Sequence, residues 1–141
     1  MRGTYRGAGA MTMTGGCRCG AVRYAAEGEA LHHALCHCRD CQRSAGAPMV
    51  GWAMFSAERV SVTGEVVTHA SSEHARRQFC GVCGTGLFYI NEAMLPGMID
   101  IQSATLDDPQ ALPPGGHIQV AERIGWMADA HALPMFDRYP G

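Results

Sequence analysis

Seven cysteines stand in three short groups: Cys17-Arg18-Cys19, Cys36-His37-Cys38-Arg39-Asp40-Cys41 and Cys80-Gly81-Val82-Cys83. An odd count opposes complete internal disulfide pairing, and each group has the spacing of metal ligands. Residues two apart on a strand face the same way, so Cys17 and Cys19 can offer two thiolates to one ion, while Cys80 and Cys83 do so through a turn. Gly20 and Gly84 follow the last cysteine of each pair, where a knuckle needs positive φ and amides free to face sulfur. Four soft thiolates suit a closed, structural zinc site. Cys36, Cys38 and Cys41 remain, three thiolates within six residues, and three protein ligands with one open position is the pattern of a catalytic or substrate-binding zinc. This division implies two zinc ions per chain. A rival division stays open on spacing alone, with Cys38, Cys41, Cys80 and Cys83 in one two-knuckle site and Cys17, Cys19 and Cys36 left over. An iron–sulfur cluster would accept the same thiolates, and zinc is the better reading. Haem attachment lacks its histidine, because Gln42 and Gly84 stand in that place, and a thioredoxin-type pair leaves the C-x-C groups unexplained. His32, His33, His37, His117 and His131 are read as core or surface side chains rather than ligands.

Zinc held by three thiolates is a poor Lewis acid for water and a good holder of one more soft ligand. A substrate thiol fits that position and would lose its proton near neutral pH, ready to attack a small carbonyl. Zinc with four thiolates carries a net charge of about −2, which a cation should offset. Arg39, Arg43, Arg76 and Arg77 are the candidates, and Arg39 and Arg43, within two residues of Cys41, are the expected substrate-binding pair.

The elements that must position these groups are short. With 18 glycines and 7 prolines in 141 residues, long helices have little room. Alternating or β-rich runs predict strands over Ala21–Tyr24, Met49–Phe55, Val60–Thr63, Val66–His69, Gly86–Ile90 and Met98–Ile101. Gly64-Glu65 is expected to close a hairpin, Arg39–Ala45 to form one short helix, and Pro113–Gly116 to be a loop. The expected fold is all-β with little helix. Residues 1–13 are expected to be a flexible tail and 14–141 a single zinc-binding domain.

The 11 cations, all arginine, against 13 carboxylates give a formal charge of −2 with no basic run, which removes the electrostatic basis for nucleic-acid binding. No segment approaches the 18 or so consecutive apolar residues of a membrane span. Met1–Thr14 lacks the apolar stretch of a signal peptide, so the chain is expected in the reducing cytoplasm. Oligomeric state is not legible.

The segments Gly15–Tyr24, Cys36–Pro48 and Ser71-Ser72 with Arg77–Thr85 closely resemble the glutathione-dependent formaldehyde-activating enzyme family, which includes centromere protein V. Thr105–Pro109, His117-Ile118, Trp126 and Leu133–Phe136 extend the resemblance to Asp137. It implies a β-tent fold of small antiparallel sheets pinned by zinc. It also implies a structural zinc on Cys17, Cys19, Cys80 and Cys83 and an active-site zinc on Cys36, Cys38 and Cys41. The reaction implied is that of a carbon–sulfur lyase joining glutathione and formaldehyde into S-hydroxymethylglutathione. His69 departs from the pattern, since relatives usually carry an aromatic there. The alternative function is a non-catalytic, zinc-stabilised binding module of the same fold.

Overall fold

The computed structural model describes residues 11–141. Its strands are β1 (Thr12–Gly16), β2 (Arg23–Glu27), β3 (His32–Cys36), β4 (Val50–Ser56), β5 (Val60–Thr63), β6 (Val66–Ala70), β7 (Ala75–Cys80), β8 (Gly86–Asn91), β9 (Met98–Gln102) and β10 (Gly116–Ile118). One α-helix, α1 (Arg39–Ala45), interrupts them, and the remaining helical pieces are short 3-10 turns. No helix among the described residues is long and apolar enough to cross a membrane.

The strands form two sheets. The smaller runs β1-β2-β5 and the larger β10-β3-β4-β9-β8-β7-β6. Every pairing is antiparallel except the parallel match of β10 to β3. The all-β expectation therefore holds, and α1 occupies the residues expected for it. Between the sheets lies the main core: Met13, Val22, Tyr24 and Ala26 from the smaller side meet Phe55, Leu87, Phe88 and Ile101 from the larger. Tyr24 and Phe88 pack edge to face with ring centroids 5.6 Å apart. Cys17 and Cys80 are buried inside this same cluster, whereas Cys36 and Cys41 belong to a second one with Val50 and Trp52. Each cysteine group thus has its own hydrophobic setting.

Two expectations need correction. The chain enters the fold at Thr12, not Thr14, because Met13 is buried and pairs with Ala26 across β1 and β2. The rest of the expected tail, residues 1–10, lies outside the described residues. Gly64-Glu65 does not close a hairpin: β5 pairs with β2 and β6 with β7, so this turn carries the chain from one sheet to the other. Gly64 has φ +90, and a Cβ there would stand 2.0 Å from the Ala21 carbonyl oxygen, which is why only glycine serves at the crossover.

The smaller sheet is tied down behind β9. Asp107 donates its backbone N–H to the Thr14 carbonyl at 2.9 Å, and its carboxylate accepts from the Thr14 hydroxyl at 2.7 Å and from Arg23 at 3.0 Å. The hydrogen bonds from Arg23 and Thr14 hold the Asp107 carboxyl at about 2, against an ordinary 3.8. A carboxyl lowered in this way contributes stability that is fully present above its ordinary value and is lost as pH falls through the folded one. Asp107→Asn is therefore expected to lower the thermal midpoint modestly at pH 7, with the gap to wild type closing as pH drops from 3.8 towards about 2. Thermal scans across that range check it; an undiminished gap at pH 2 would mean that the carboxylate charge is not what matters.

Candidate metal centres and the adjoining cavity

The chain turns sharply after β1 and again after β7, and each turn presents sulfur inward. Gly20 and Gly84 both take φ +84, as the knuckle reading requires. The Cys17 sulfur accepts the Val22 N–H at 3.2 Å, and the Cys80 sulfur accepts Val82 and Cys83 N–H groups at 3.3 and 3.4 Å. Such donors stabilise thiolates. The ligand atoms of Cys17, Cys19, Cys80 and Cys83 all lie within 4.8 Å of one another, with Cys17–Cys19 at 3.6 Å and Cys19–Cys80 at 3.8 Å. A tetrahedron with zinc–sulfur bonds of about 2.3 Å has edges of about 3.8 Å, so the donor set and its spacing fit one zinc ion.

The second group forms where β3 runs into α1. Cys36 ends the strand; Cys38 caps the helix by accepting the Cys41 N–H on its sulfur at 3.2 Å; Cys41 is buried in the first turn. These three sulfurs also lie within 4.8 Å of one another and could hold a metal ion. The division is thus four and three, and the two-knuckle alternative joining Cys38 and Cys41 to Cys80 and Cys83 is excluded by placement. Gly46 closes the helix in the left-handed region. From the far side, Gln42 donates to the carbonyls of His37 and Glu122 at 2.6 and 3.2 Å, and the Glu122 carboxylate accepts the Arg39 N–H at 2.7 Å. The loop bearing the trio is held at both ends.

Arg77 on β7 supplies the cation beside the trio. Its side chain is only 13% exposed; Nη2 donates to Asp40 at 2.7 Å and to the Cys41 sulfur at 3.6 Å. The guanidinium lies over the rings of Tyr89 and Trp52, 5.0 and 5.9 Å from their centroids, so aromatic faces fix its plane. Burial pushes the Cys41 thiol up, but hydrogen bonds from Cys38, Arg77 and Trp52 together with the Arg77 charge outweigh it and leave Cys41 below the ordinary thiol value. Burial pushes Cys36 up to about 12.

A cavity of about 250 Å³ opens against the trio, lined also by Asp40, Trp52, Arg77, Tyr89, Asn91, Asp100 and Gln119. Gln119 is the one non-glycine residue with positive φ among the described residues, at 57°. Trp52 and Arg77 also border a second cavity of about 410 Å³, where His69 and Gln102 lie. Neither cavity is lined by Arg39 or Arg43, which are exposed on α1, Arg39 donating to the Gln42 side chain. Among the described residues, Arg76 donates to backbone carbonyls, those of Ser72, Glu73 and Ala75. His37, buried to 1% exposure, meets His117 at 2.8 Å and belongs to neither sulfur group. Asp100, Tyr89 and Gln119 carry no motif signal; only strand pairing brings the first two together.

A family model described as glutathione-dependent formaldehyde-activating enzyme matches residues 12–122, so it contains all seven cysteines and stops before Trp126 and Leu133–Phe136. A protein of Schizosaccharomyces pombe named an uncharacterized lyase is 33% identical over 75 residues, 53% of this chain; the match covers 55% of that relative, so the chain spans only about half its length. A crystal structure of a Rhodobacter sphaeroides protein superposes with a TM-score of 0.58 at 23% identity, over 74% of this chain and 99% of that one, a likeness of fold. With the family model covering most of its length and every cysteine of both groups, this chain belongs to the glutathione-dependent formaldehyde-activating enzyme family.

Proposed function

We propose that this chain is a zinc-dependent carbon–sulfur lyase that joins a thiol, glutathione by family, to a small aldehyde, formaldehyde by family, and splits the adduct in the reverse direction. The observation that carries this reading is the trio itself: three sulfurs gathered on one side of a cavity, with a partly buried arginine against one of them. Cys17, Cys19, Cys80 and Cys83 would hold a structural zinc, and Cys36, Cys38 and Cys41 a catalytic one. Bound by the trio, zinc supplies a coordination position for one more soft ligand and lowers the pKa of a thiol placed there. Arg77 offsets the negative charge that accumulates around the sulfurs, and its aromatic clamp keeps it from following the substrate out. Trp52 and Tyr89 give the cavity its apolar wall, which limits water around a reactive aldehyde. Arg39 and Arg43 are proposed as outer contacts for the carboxylates of the thiol, secondary to Arg77. The reading places the chain in the cytoplasm, where glutathione is abundant.

The two sulfur groups should differ in what they hold together. Cys80→Ser is expected to unfold the domain, since a structural zinc site contributes on the order of 10 kcal/mol, comparable to the whole stability of such a chain. Cys41→Ser removes a ligand from a loop that closes locally and should give a much smaller thermal shift. Equal shifts for the two variants would reject the assignment of structural and catalytic roles.

Calorimetric titration of zinc-loaded protein tests the function itself. Glutathione should bind at least about tenfold more tightly than S-methylglutathione, which cannot form a thiolate. Arg77→Gln should weaken glutathione binding more than the double change of Arg39 and Arg43 to Gln, and Arg77→Lys should restore it only in part. Equal affinity for glutathione and its S-methyl form would remove the thiol site from the zinc and favour the non-catalytic binding module.

A further inference from the structure

Formation of the adduct needs a proton as well as a thiolate, and the carboxyl on α1, Asp40, is exposed and paired to Arg77. The polar side of the cavity offers a second carboxyl. Asp100 lies mid-strand on β9, opposite Tyr89 on β8 and Met54 on β4, and lines the cavity that the three cysteines border. Its neighbours are otherwise engaged: Arg77 is paired to Asp40, and Asn91 donates to the Tyr89 hydroxyl at 3.2 Å and accepts from the Met94 N–H at 3.1 Å. The ion pairs found among the described residues go to Asp107, Glu73 and Asp40, and Asp100, which lines the cavity, takes part in none of them.

We propose that Asp100 is the acid–base residue of this site, giving its carboxyl proton to the aldehyde oxygen as the carbon–sulfur bond forms and taking it back when the adduct splits. The proposal rests on the lyase reading above and names the group that this reading leaves unassigned. In the forward direction a sulfur lone pair forms the S–C bond, the C=O π pair moves onto oxygen, and that oxygen takes the proton from Asp100. The carboxylate left behind is reprotonated from solvent. In reverse, the carboxylate removes the hydroxyl proton, C=O re-forms, and the S–C electron pair returns to sulfur, so atoms, charge and electrons balance with no further reactant.

Burial supports this role. It raises the Asp100 carboxyl to about 6, with the charge of His32 opposing it, so both protonation states are populated near neutral pH. The other titratable or charged groups around the cavity are Tyr89 from β8, Arg77 from β7, and Asp40 with the cysteines of the β3–α1 corner. Asp40 is held by Arg77 and is 68% exposed, whereas Asp100, the other carboxyl lining the cavity, is half-buried.

The test uses the zinc-loaded, full-length protein with glutathione and formaldehyde, following exchange between free thiol and adduct by NMR above the uncatalysed rate. Asp100→Asn is expected to lower kcat by about 100-fold or more and to abolish the pH-dependence near 6, while zinc content, thermal midpoint and aldehyde-free glutathione affinity stay at wild-type values. Asp100→Glu should recover part of the rate and keep a pH-dependent limb. An active wild type beside an Asp100→Asn variant of similar kcat and unchanged pH profile overturns the role of Asp100 alone. A wild type that binds glutathione but does not accelerate exchange overturns the lyase reading, and this role falls with it.

Discussion

The gathering of Cys17 and Cys19 with Cys80 and Cys83 is the constraint on which the rest of the molecule depends. The first pair follows β1 of the smaller sheet and the second ends in the turn after β7 of the larger one, so a single ion held there would close the two sheets over their common core. With only 141 residues, and strands of three to seven residues, the apolar interior is small. An ion bound at the edge of that interior would add stability that side-chain packing alone would struggle to supply. It would also fix β7, and β7 carries Arg77.

That strand links the two centres. Cys80 serves the four-sulfur group, Arg77 reaches the trio, and the register slips between Gln78 and Phe79. A local irregularity of this kind lets one strand serve two sites whose demands on side-chain direction differ. The trio is in turn held by the β3–α1 corner, where Cys38 is at once helix cap and candidate ligand. The electrostatic logic is then simple: sulfurs gather negative charge, one partly buried guanidinium answers it, and aromatic rings keep that guanidinium in place.

Much of this was legible in sequence because ligand chemistry is local. C-x-C and C-x-x-C spacings, the glycines after them and the helix at Arg39–Ala45 are short-range patterns, and all are where expected. β1, β3, β7 and β10 were not foreseen, since Thr-Met-Thr-Gly-Gly, His-His-Ala-Leu-Cys, Ala-Arg-Arg-Gln-Phe-Cys and Gly-His-Ile show little clean alternation; tertiary pairing makes them strands, and Gly116, expected in a loop, opens β10. The Gly64 crossover read as a hairpin because turn chemistry alone cannot say whether flanking strands pair with each other or with distant partners. Arg77 stood in the sequence as one of four candidate cations, and only its burial between Trp52 and Tyr89 separates it from Arg39 and Arg43, which are nearer to Cys41 in the chain but exposed.

X-ray absorption at the zinc edge of purified protein tests the central assignment most directly. Seven cysteine sulfurs shared by two ions give an average of about 3.5 sulfurs per zinc at about 2.3 Å, rising towards 4 when glutathione is added. A first shell dominated by nitrogen or oxygen, or a single zinc with four sulfurs that glutathione leaves unchanged, would contradict it.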